Sequence, residues 1–273
     1  MADDSRPLAL VTGAGRGYGA VVARRLAADG FTVAVLGRDA TAIRAVAESI
    51  DGIAAQADVL DRDRVEAVVA DLLEAHGQID VLVNNAGVGG TLGPAWEVDP
   101  DEWWRCLEVN VRGTHTVTRA VVRDMVARRH GRIINVVSNA GVARWPYGSA
   151  YAVSKAAVIK HGENLAAEVR RHGVTVLNFH PGILEIGLTD TLFAADPEPG
   201  TYDAMVAEWF RRQIAEGNSV DAEVSAAKLS RLAGGIADPL TGRYFTAYDD
   251  LDAIAAGATS AAETDYTLGL LRP

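Results

Sequence analysis

The stretch LALVTGAGRGYGAVVARRLAADG, residues 8–30, points to a particular fold class. A short run rich in Leu and Val leads into a turn with glycine at alternate positions, and the chain then continues with helical character. A continuous apolar strand that passes through a tight turn into a helix is the first part of a βαβ unit. The stretch therefore predicts a parallel sheet that is covered by helices.

The rest of the chain repeats this alternation. Further apolar runs read FTVAVLG, IAAQADV, IDVLVNN, GRIINVVS, GVTVLNFHPG and TGRYFTA, and helical segments such as DRVEAVVADLLEAHG lie between them. Because crossovers between parallel strands are right-handed, this order favours a doubly wound sheet. We expect an α/β, Rossmann-like fold: a single domain with a doubly wound parallel sheet of about seven strands and helices on both faces.

One domain is expected over residues 1–273, since no linker, repeat or low-complexity tract interrupts the pattern. Its core would span about 7–247, followed by a polar tail over 248–273. The segment 183–215 mixes Gly, Pro and acidic residues with apolar ones. Long irregular segments in compact domains are usually functional, so this segment predicts a lid over a substrate site.

Composition narrows the function classes. Hydrophobic residues make up 49% of the chain and charged residues 23%, which is typical of a globular protein. The net charge of −10 argues against nucleic acid or an anionic membrane as partner. A single cysteine, Cys106, favours a reducing compartment and is interpreted as a buried small hydrophobe. The acidic start and the lack of a membrane-length apolar run lead us to expect a cytoplasmic protein, and no metal site is predicted.

The glycine-rich turn is a candidate phosphate site. The spacing Gly13, Gly17, Gly19 fits, whereas the pattern G-x-G-x-x-G fails because Tyr18 stands where its third glycine would fall. Glycines let the backbone approach a pyrophosphate over the positive end of the following helix. The alternative is that a tight strand-to-helix turn needs glycine for its own geometry.

Polar and small residues also end the third and fourth strands. Asp58 and Val59 follow the third, and NNAG, residues 84–87, follows the fourth. Ligands of open parallel sheets lie across these carboxyl ends, so the residues predict one common groove. A helix N-cap role for Asp58 and a turn role for Asn84 and Asn85 are the alternatives.

In combination these motifs resemble the short-chain dehydrogenase/reductase family over roughly residues 7–247. The resemblance is carried by TGAGRGYG, ADV, NNAG, Asn110 in EVNVRG, Ser138, YAVSK at 151–155 and HPG at 180–182. It implies a catalytic group of Asn110, Ser138, Tyr151 and Lys155. It also implies the nucleotide-binding residues Gly13, Arg16, Gly17, Tyr18, Gly19, Arg38, Asp58, Val59, Asn85, Ala86, Gly87, Tyr151, Lys155, Pro181 and Gly182.

The catalytic residues suit hydride transfer between a nicotinamide and a carbonyl or secondary alcohol. Reduction needs a proton on oxygen, and Tyr151 can donate it while Ser138 hydrogen-bonds the same oxygen. Lys155, one helical turn from Tyr151, is expected to favour the phenolate. The resemblance further implies that Lys155 holds the nicotinamide ribose and that Asn110 anchors a water. Taken singly, these residues are more often ordinary cap, turn and surface residues.

The cofactor is expected to be NADP(H). After the second strand, Gly37 takes the place of the carboxylate that NAD enzymes use, and Arg38 follows it. Arg16 is a second position where the family often carries a cation for the 2′-phosphate. Asp39 is a possible competing partner of Arg38.

The substrate is expected to be a small-molecule ketone or secondary alcohol. Arg144, Trp145 and Tyr147 should line one wall of the cleft, although Trp145 could instead pack under the lid or at a subunit contact. Ile186 stands where many relatives carry a Thr that contacts the nicotinamide, so Thr189 or backbone groups would replace it. The resemblance also implies a homodimer or homotetramer.

The leading function is therefore an NADP(H)-dependent ketoreductase. An NAD-dependent secondary-alcohol dehydrogenase is the first alternative, and a catalytically silent nucleotide-binding protein is the second. The presence of Ser138, Tyr151 and Lys155 argues against the silent protein.

Overall fold

The computed structural model describes residues 6–257. Seven strands form one parallel sheet in the order β3-β2-β1-β4-β5-β6-β7. The strands are β1 Leu8–Thr12, β2 Thr32–Gly37, β3 Ile53–Gln56, β4 Val81–Asn84, β5 Gly131–Val136, β6 Val174–His180 and β7 Tyr244–Thr246. All seven coincide with apolar runs of the sequence, and the predicted doubly wound sheet is confirmed.

Helices cover both faces of the sheet. They are α1 Gly17–Ala28, α2 Ala40–Ser49, α3 Arg62–His76, α4 Pro100–Leu107, α5 Gly113–Arg128, α6 Ser149–Val169, α7 Leu188–Ala194, α8 Tyr202–Ala215, α9 Ala222–Ala233 and α10 Leu251–Ala256. The sequence has helical character around 201–215 and 220–233, and these two segments form α8 and α9. The first turns of α2, α3, α4, α8, α9 and α10 are each capped by an Asp or Thr side chain.

Alternation along the strands splits the core into two layers. Val11 and Val83 pack into one buried cluster with α1, α2 and α9, whereas Leu10 and Leu82 pack into the other with α3, α5 and α6. Because successive side chains of a strand point to opposite faces, a sheet covered on both sides requires runs that are mostly apolar. This explains why the strands read as mostly apolar segments.

The sheet order places a crevice where ligands of such folds bind. Strand β1 pairs with β2 on one side and with β4 on the other, so the chain switches direction across the sheet at this point. The turns that follow β1 and β4 leave the same edge of the sheet and diverge. The glycine-rich turn and the NNAG segment are thereby brought together, as the sequence predicted.

Two segments differ from the sequence-based expectation. Segment 183–215, which is predicted to be a lid, is less irregular than expected, because α7 and the whole of α8 lie within it. The tail predicted for 248–273 includes α10, and its part beyond residue 257 lies outside the described residues. Between residues 6 and 257, no helix is long and apolar enough to cross a membrane.

Candidate active site

The glycine-rich turn is shaped by close backbone contacts. Gly13 and Gly17 have φ of +65° and +54°, a region that side-chain-bearing residues rarely adopt. A Cβ added to Gly13 would lie 2.8 Å from the Cα of Ala86, and one added to Gly19 would overlap the Asn85 amide and the Gly13 carbonyl. Gly13 and Gly19 therefore let the turn lie against the NNAG segment, and Gly17 supplies a backbone conformation that favours glycine.

Asn85 ties this turn to the end of β4. Its Nδ2 donates to the carbonyl oxygens of Thr12, at 2.9 Å, and Gly13, at 3.3 Å. The hydroxyl oxygen of Thr12 in turn accepts from the backbone N–H groups of Asn85 and Ala86, both at 3.0 Å. Asn84 contributes differently, since its Nδ2 donates to Thr118 and Asn135 inside the core.

The N-terminus of α1 is open to an anion. Arg16 occupies the N-cap position, and its side chain makes no hydrogen bond to the helix. The first backbone N–H groups of α1 are therefore not capped by a side chain. The Tyr18 side chain points into the protein, because its hydroxyl lies 2.9 Å from Ser225 Oγ. Only the backbone of Tyr18 is thus left to serve its predicted role in nucleotide binding.

Ser138, Tyr151 and Lys155 meet at the carboxyl end of β5. Ser138 caps the short 3-10 turn Asn139–Gly141, and its side chain hydrogen-bonds Tyr151. Lys155 lies one turn after Tyr151 on α6, with Nζ 5.6 Å from the tyrosine ring centroid. Nζ also donates to the carbonyl oxygen of Val136 at 2.8 Å. The structure therefore brings the predicted triplet together.

Burial sets the proton affinities of this group. It raises the pKa of Tyr151 to about 12, although the hydrogen bond from Ser138 acts in the opposite direction. Burial also lowers the pKa of Lys155 to about 8, because an ammonium ion loses hydration there. Lys155 is not among the causes of the Tyr151 shift, so its role in favouring the phenolate stays a prediction. Tyr151 is a phenol at neutral pH.

Asn110 lies in a π-helical turn, Glu108–Arg112, that joins α4 to α5. Its Oδ1 accepts from the Val88 N–H at 2.8 Å, and its Nδ2 donates to the Val88 carbonyl and to Ser154 Oγ, both at 2.9 Å. Ser154 Oγ then donates to the Tyr151 carbonyl at 2.8 Å. Asn110 thus positions the start of α6 through protein groups, and its water-anchoring role stays a prediction.

Gly87 shows how closely the two parts of the site approach. A Cβ at this position would lie 3.1 Å from Asn110 Oδ1 and 3.7 Å from Lys155 Nζ. The NNAG segment therefore contacts both the glycine-rich turn and the catalytic group. In comparison with known proteins, the sequence profile of the family described as short chain dehydrogenase matches residues 7–197 of this chain.

The chain belongs to this family. It is an oxidoreductase of the short-chain dehydrogenase type, a family that binds a nicotinamide cofactor. The chain is 36% identical over 181 residues to the NADP-dependent 3-hydroxy acid dehydrogenase YdfG of Salmonella typhi, covering 65% of this chain and 72% of that protein.

Two solved structures are similar in fold. A variant of the actinorhodin polyketide ketoreductase with NADPH superposes with a TM-score of 0.80 and 29% identity, over 90% of this chain and 97% of that one. The 3-oxoacyl-[acyl-carrier protein] reductase of Brucella melitensis in complex with NAD gives 0.75 and 30%, over 95% and 100%. Both nicotinamide cofactors are thus represented among structures like this dehydrogenase.

The region around the second strand of this dehydrogenase carries the residues predicted to select the cofactor. A Cβ on Gly37 would lie 2.9 Å from Ile43 Cγ2, so a side chain at this position would require Ile43 to shift. Arg38 is exposed, and its nearest acidic partner is Asp58, at 3.9 Å, rather than Asp39. Asp39 instead caps α2 through the N–H groups of residues 41 and 42. Asp58 does not cap α3, because Asp61 does.

The HPG segment follows β6 on the substrate side. Gly182 has a φ of +86°, and a Cβ there would lie 2.6 Å from Val220. His180 is buried with its Nδ1 unpaired, and burial lowers its pKa to about 4, assisted by the charge of Lys155. Thr189 is buried in α7, while Gly187 lies against Gly17 at the start of α1. The segment predicted to be a lid thus reaches the glycine-rich turn.

Sequence reasoning missed residues that shape the site. The Oγ of Ser225, in α9, lies 2.9 Å from the Tyr18 hydroxyl and donates to the Pro181 carbonyl oxygen at 2.8 Å. These two contacts tie the glycine-rich turn to the HPG segment. Tyr244 of β7 donates to Asn139 Oδ1 at 2.6 Å, next to Ser138. No local signal marks Ser225 or Tyr244, because their partners are more than 40 positions away in the chain.

Cys106 of α4 is buried, as the sequence predicted. Burial raises the pKa of its thiol, so the group is a thiol rather than a thiolate at neutral pH. Its Sγ lies 3.6 Å from the Val88 carbonyl oxygen and 3.5 Å from Asn110 Nδ2. The cysteine therefore packs behind the catalytic group as a small hydrophobe.

Proposed function

We propose that this protein is an NADP(H)-dependent ketoreductase with Tyr151 as general acid/base. The observation that carries the proposal is the convergence of Ser138, Tyr151 and Lys155 at the carboxyl end of β5, beside an uncapped helix N-terminus and a glycine cradle. A nucleotide phosphate bound at α1 and a carbonyl bound at Ser138 would lie along one crevice.

The protein's own groups supply the proton and hold the carbonyl. Tyr151, as a buried phenol with a pKa of about 12, is protonated at neutral pH and donates its proton to the carbonyl oxygen. Ser138 hydrogen-bonds the same oxygen and stabilises the charge that develops on it. When bound, the reduced nicotinamide supplies the hydride that the carbonyl carbon receives and is itself oxidised. The two additions together convert C=O to CH–OH.

Lys155 and Asn110 support this step. At pH 7 Lys155, with a pKa of about 8, is mostly an ammonium ion beside the tyrosine ring, where its charge would stabilise the phenolate that Tyr151 becomes when it gives up its proton. Asn110 acts through Ser154 on the first turn of α6 and so fixes the position of Tyr151. His180 stays neutral across the working range.

The crevice fits a dinucleotide. Gly13 and Gly19 let the turn lie tightly against the NNAG segment, and the uncapped N-terminus of α1 that follows the turn favours a pyrophosphate. Arg16 and Arg38 are exposed beside the expected ribose position, and the glycine at the end of β2 offers no carboxylate to a 2′-hydroxyl. These features favour NADP(H), as do the NADP-dependent relative and the ketoreductase with NADPH. The similar structure that holds NAD keeps the NAD-dependent alternative open.

The proposal is tested by following NADPH absorbance, with NADH in parallel, across ketones, diketones and acyl thioesters. Tyr151→Phe is the blank and Tyr202→Phe, a lid tyrosine, is the matched control. We expect Tyr151→Phe to lose about 10²–10⁴-fold in turnover while NADPH binding is retained, because only the proton donor is removed. Retention of most of the rate in Tyr151→Phe would show that another group donates the proton.

A further inference from the structure

A cavity lies beside the loop that connects Ser138 to α6. The segment 142–148, which leads from the Ser138 turn to α6, faces α8 across a cleft of about 450 Å³. This volume lies within the range of about 300–1,000 Å³ that is common for small-molecule sites. The loop contributes Arg144, Trp145 and Tyr147 to its walls, and the helix contributes Met205, Trp209 and Arg212.

Aromatic rings dominate the walls of this cleft. Trp145 packs edge-to-face on Trp209, with ring centroids 5.0 Å apart and planes at 71°, and Tyr147 lies 4.9 Å from Tyr202. Tyr147 also has a φ of +68°, a backbone conformation that is strained for a residue with a side chain. Aromatic walls select flat aryl groups, because edge-to-face and offset contacts add to the area that is buried.

The charges at the cleft favour an anion. Arg144 and Arg212 line it, and neither guanidinium makes an ion pair within residues 6–257. Glu208 is the one acidic side chain among the lining residues, so the cleft is net positive in a chain whose formal net charge is −10. Unpaired guanidinium groups bind carboxylate and phosphate oxygens by directed hydrogen bonds.

We propose that the preferred substrates are aryl ketones that carry a negatively charged group. The ring would pack on Trp145 and Trp209, and Arg144 and Arg212 would hold the anion. The carbonyl would lie at Ser138 and Tyr151. This inference rests on the proposed ketoreductase function, with the same hydride and proton added to the carbonyl. The anion could belong to the ketone itself or to a phosphate-bearing carrier arm, and the two sources share this chemistry.

The test compares four ketones of matched shape: 4-acetylbenzoate, its methyl ester, 4-acetylcyclohexanecarboxylate, and its methyl ester. A fifth, the coenzyme A thioester of 3-oxo-3-phenylpropanoate, presents an aryl ketone on a phosphorylated arm. We expect kcat/KM to be about tenfold higher for aryl than for cyclohexyl compounds and for anions than for esters. A larger value for the thioester than for 4-acetylbenzoate would assign the anion to a carrier arm, and the reverse to the ketone itself.

Variants connect these preferences to the cleft. Trp209→Leu should remove the aryl preference and Arg212→Gln the preference for the anion. Trp96→Leu, on an exposed ring outside the cleft, and Arg211→Gln, next to Arg212 but outside this cleft, should leave both unchanged. Equal rates for all compounds, or preferences that survive Trp209→Leu and Arg212→Gln, would overturn the inference alone. Absence of any Tyr151-dependent turnover would instead overturn the proposed function.

Discussion

The nucleotide half of the crevice and the lid half are built by different means. In the nucleotide half, backbone meets backbone: Gly13 lies against Ala86, and the Asn85 amide donates to the carbonyls of the glycine-rich turn. In the lid half, side chains meet side chains, as Trp145 and Trp209 do, and the rings remain partly exposed. The backbone packing of the nucleotide half therefore leaves no room for an added methyl group. The lid half can change its substrate selectivity through substitution of its side chains.

The largest effect is expected when a methyl group is added inside the nucleotide half and compared with one that faces the lid. Gly19→Ala would place a Cβ on the Asn85 amide, and we expect NADPH affinity to fall about 100-fold or more because the turn must shift. Gly89→Ala, whose Cβ would lie 4.0 Å from Leu188 on the lid, should bind NADPH as the wild type does. Fluorescence titration measures both affinities.

Circular dichroism and thermal unfolding are the controls that test whether the two glycine variants are folded. Equal NADPH affinity in Gly19→Ala and the wild type would mean that the nucleotide half is as tolerant as the lid half. A large loss in Gly89→Ala would mean that the lid is as tightly specified as the turn.

The pH dependence separates the buried catalytic group from the exposed lid. Lys155 has a folded pKa lowered from 10.5 to about 8, so its charge is present below pH 8 and is lost as the pH rises through that value. We expect kcat/KM for reduction to be level from about pH 6 to 7.5 and to fall by up to about tenfold per pH unit above about pH 8. His180, with a pKa of about 4, should add no step near neutral pH.

Rates measured from mildly acidic to mildly alkaline pH test this expectation. The lid variant Arg212→Gln should show the same midpoint as the wild type, because it lies outside the buried group. A midpoint near about 6.5, the usual pKa of histidine, would assign the titration to a histidine and contradict the proposed role of Lys155.

A weaker effect is expected at the exposed arginine of the nucleotide half. Arg38→Ala should lower the preference for NADPH over NADH about tenfold, because an exposed guanidinium that contacts a phosphate is partly screened by solvent. Arg44→Ala, an exposed arginine of α2, is the matched control. Calorimetric titration with both cofactors gives the ratio, and an unchanged ratio in Arg38→Ala would favour the NAD-dependent alternative.

Local patterns in the chain were enough to predict the strands and to locate the site. Mostly apolar runs mark all seven strands, because a sheet covered on both faces buries most of its side chains. The glycine spacing located the turn against the NNAG segment, and the order of Ser138, Tyr151 and Lys155 located the catalytic group, since these residues lie at strand ends and on one helix face.

The surroundings of those residues became known only from the folded chain. Burial by several elements, rather than the neighbouring charge of Lys155, sets the direction of the Tyr151 pKa shift. Asp58, rather than the adjacent Asp39, lies near Arg38, because β2 and β3 pair side by side.

Contacts between distant elements also became known only from the folded chain. Tyr18 meets Ser225 across 207 positions, and Trp145 meets Trp209 through the approach of α8. Local sequence patterns hold no information on such contacts, because packing between distant elements creates both the contacts and the low-dielectric surroundings that shift proton affinities.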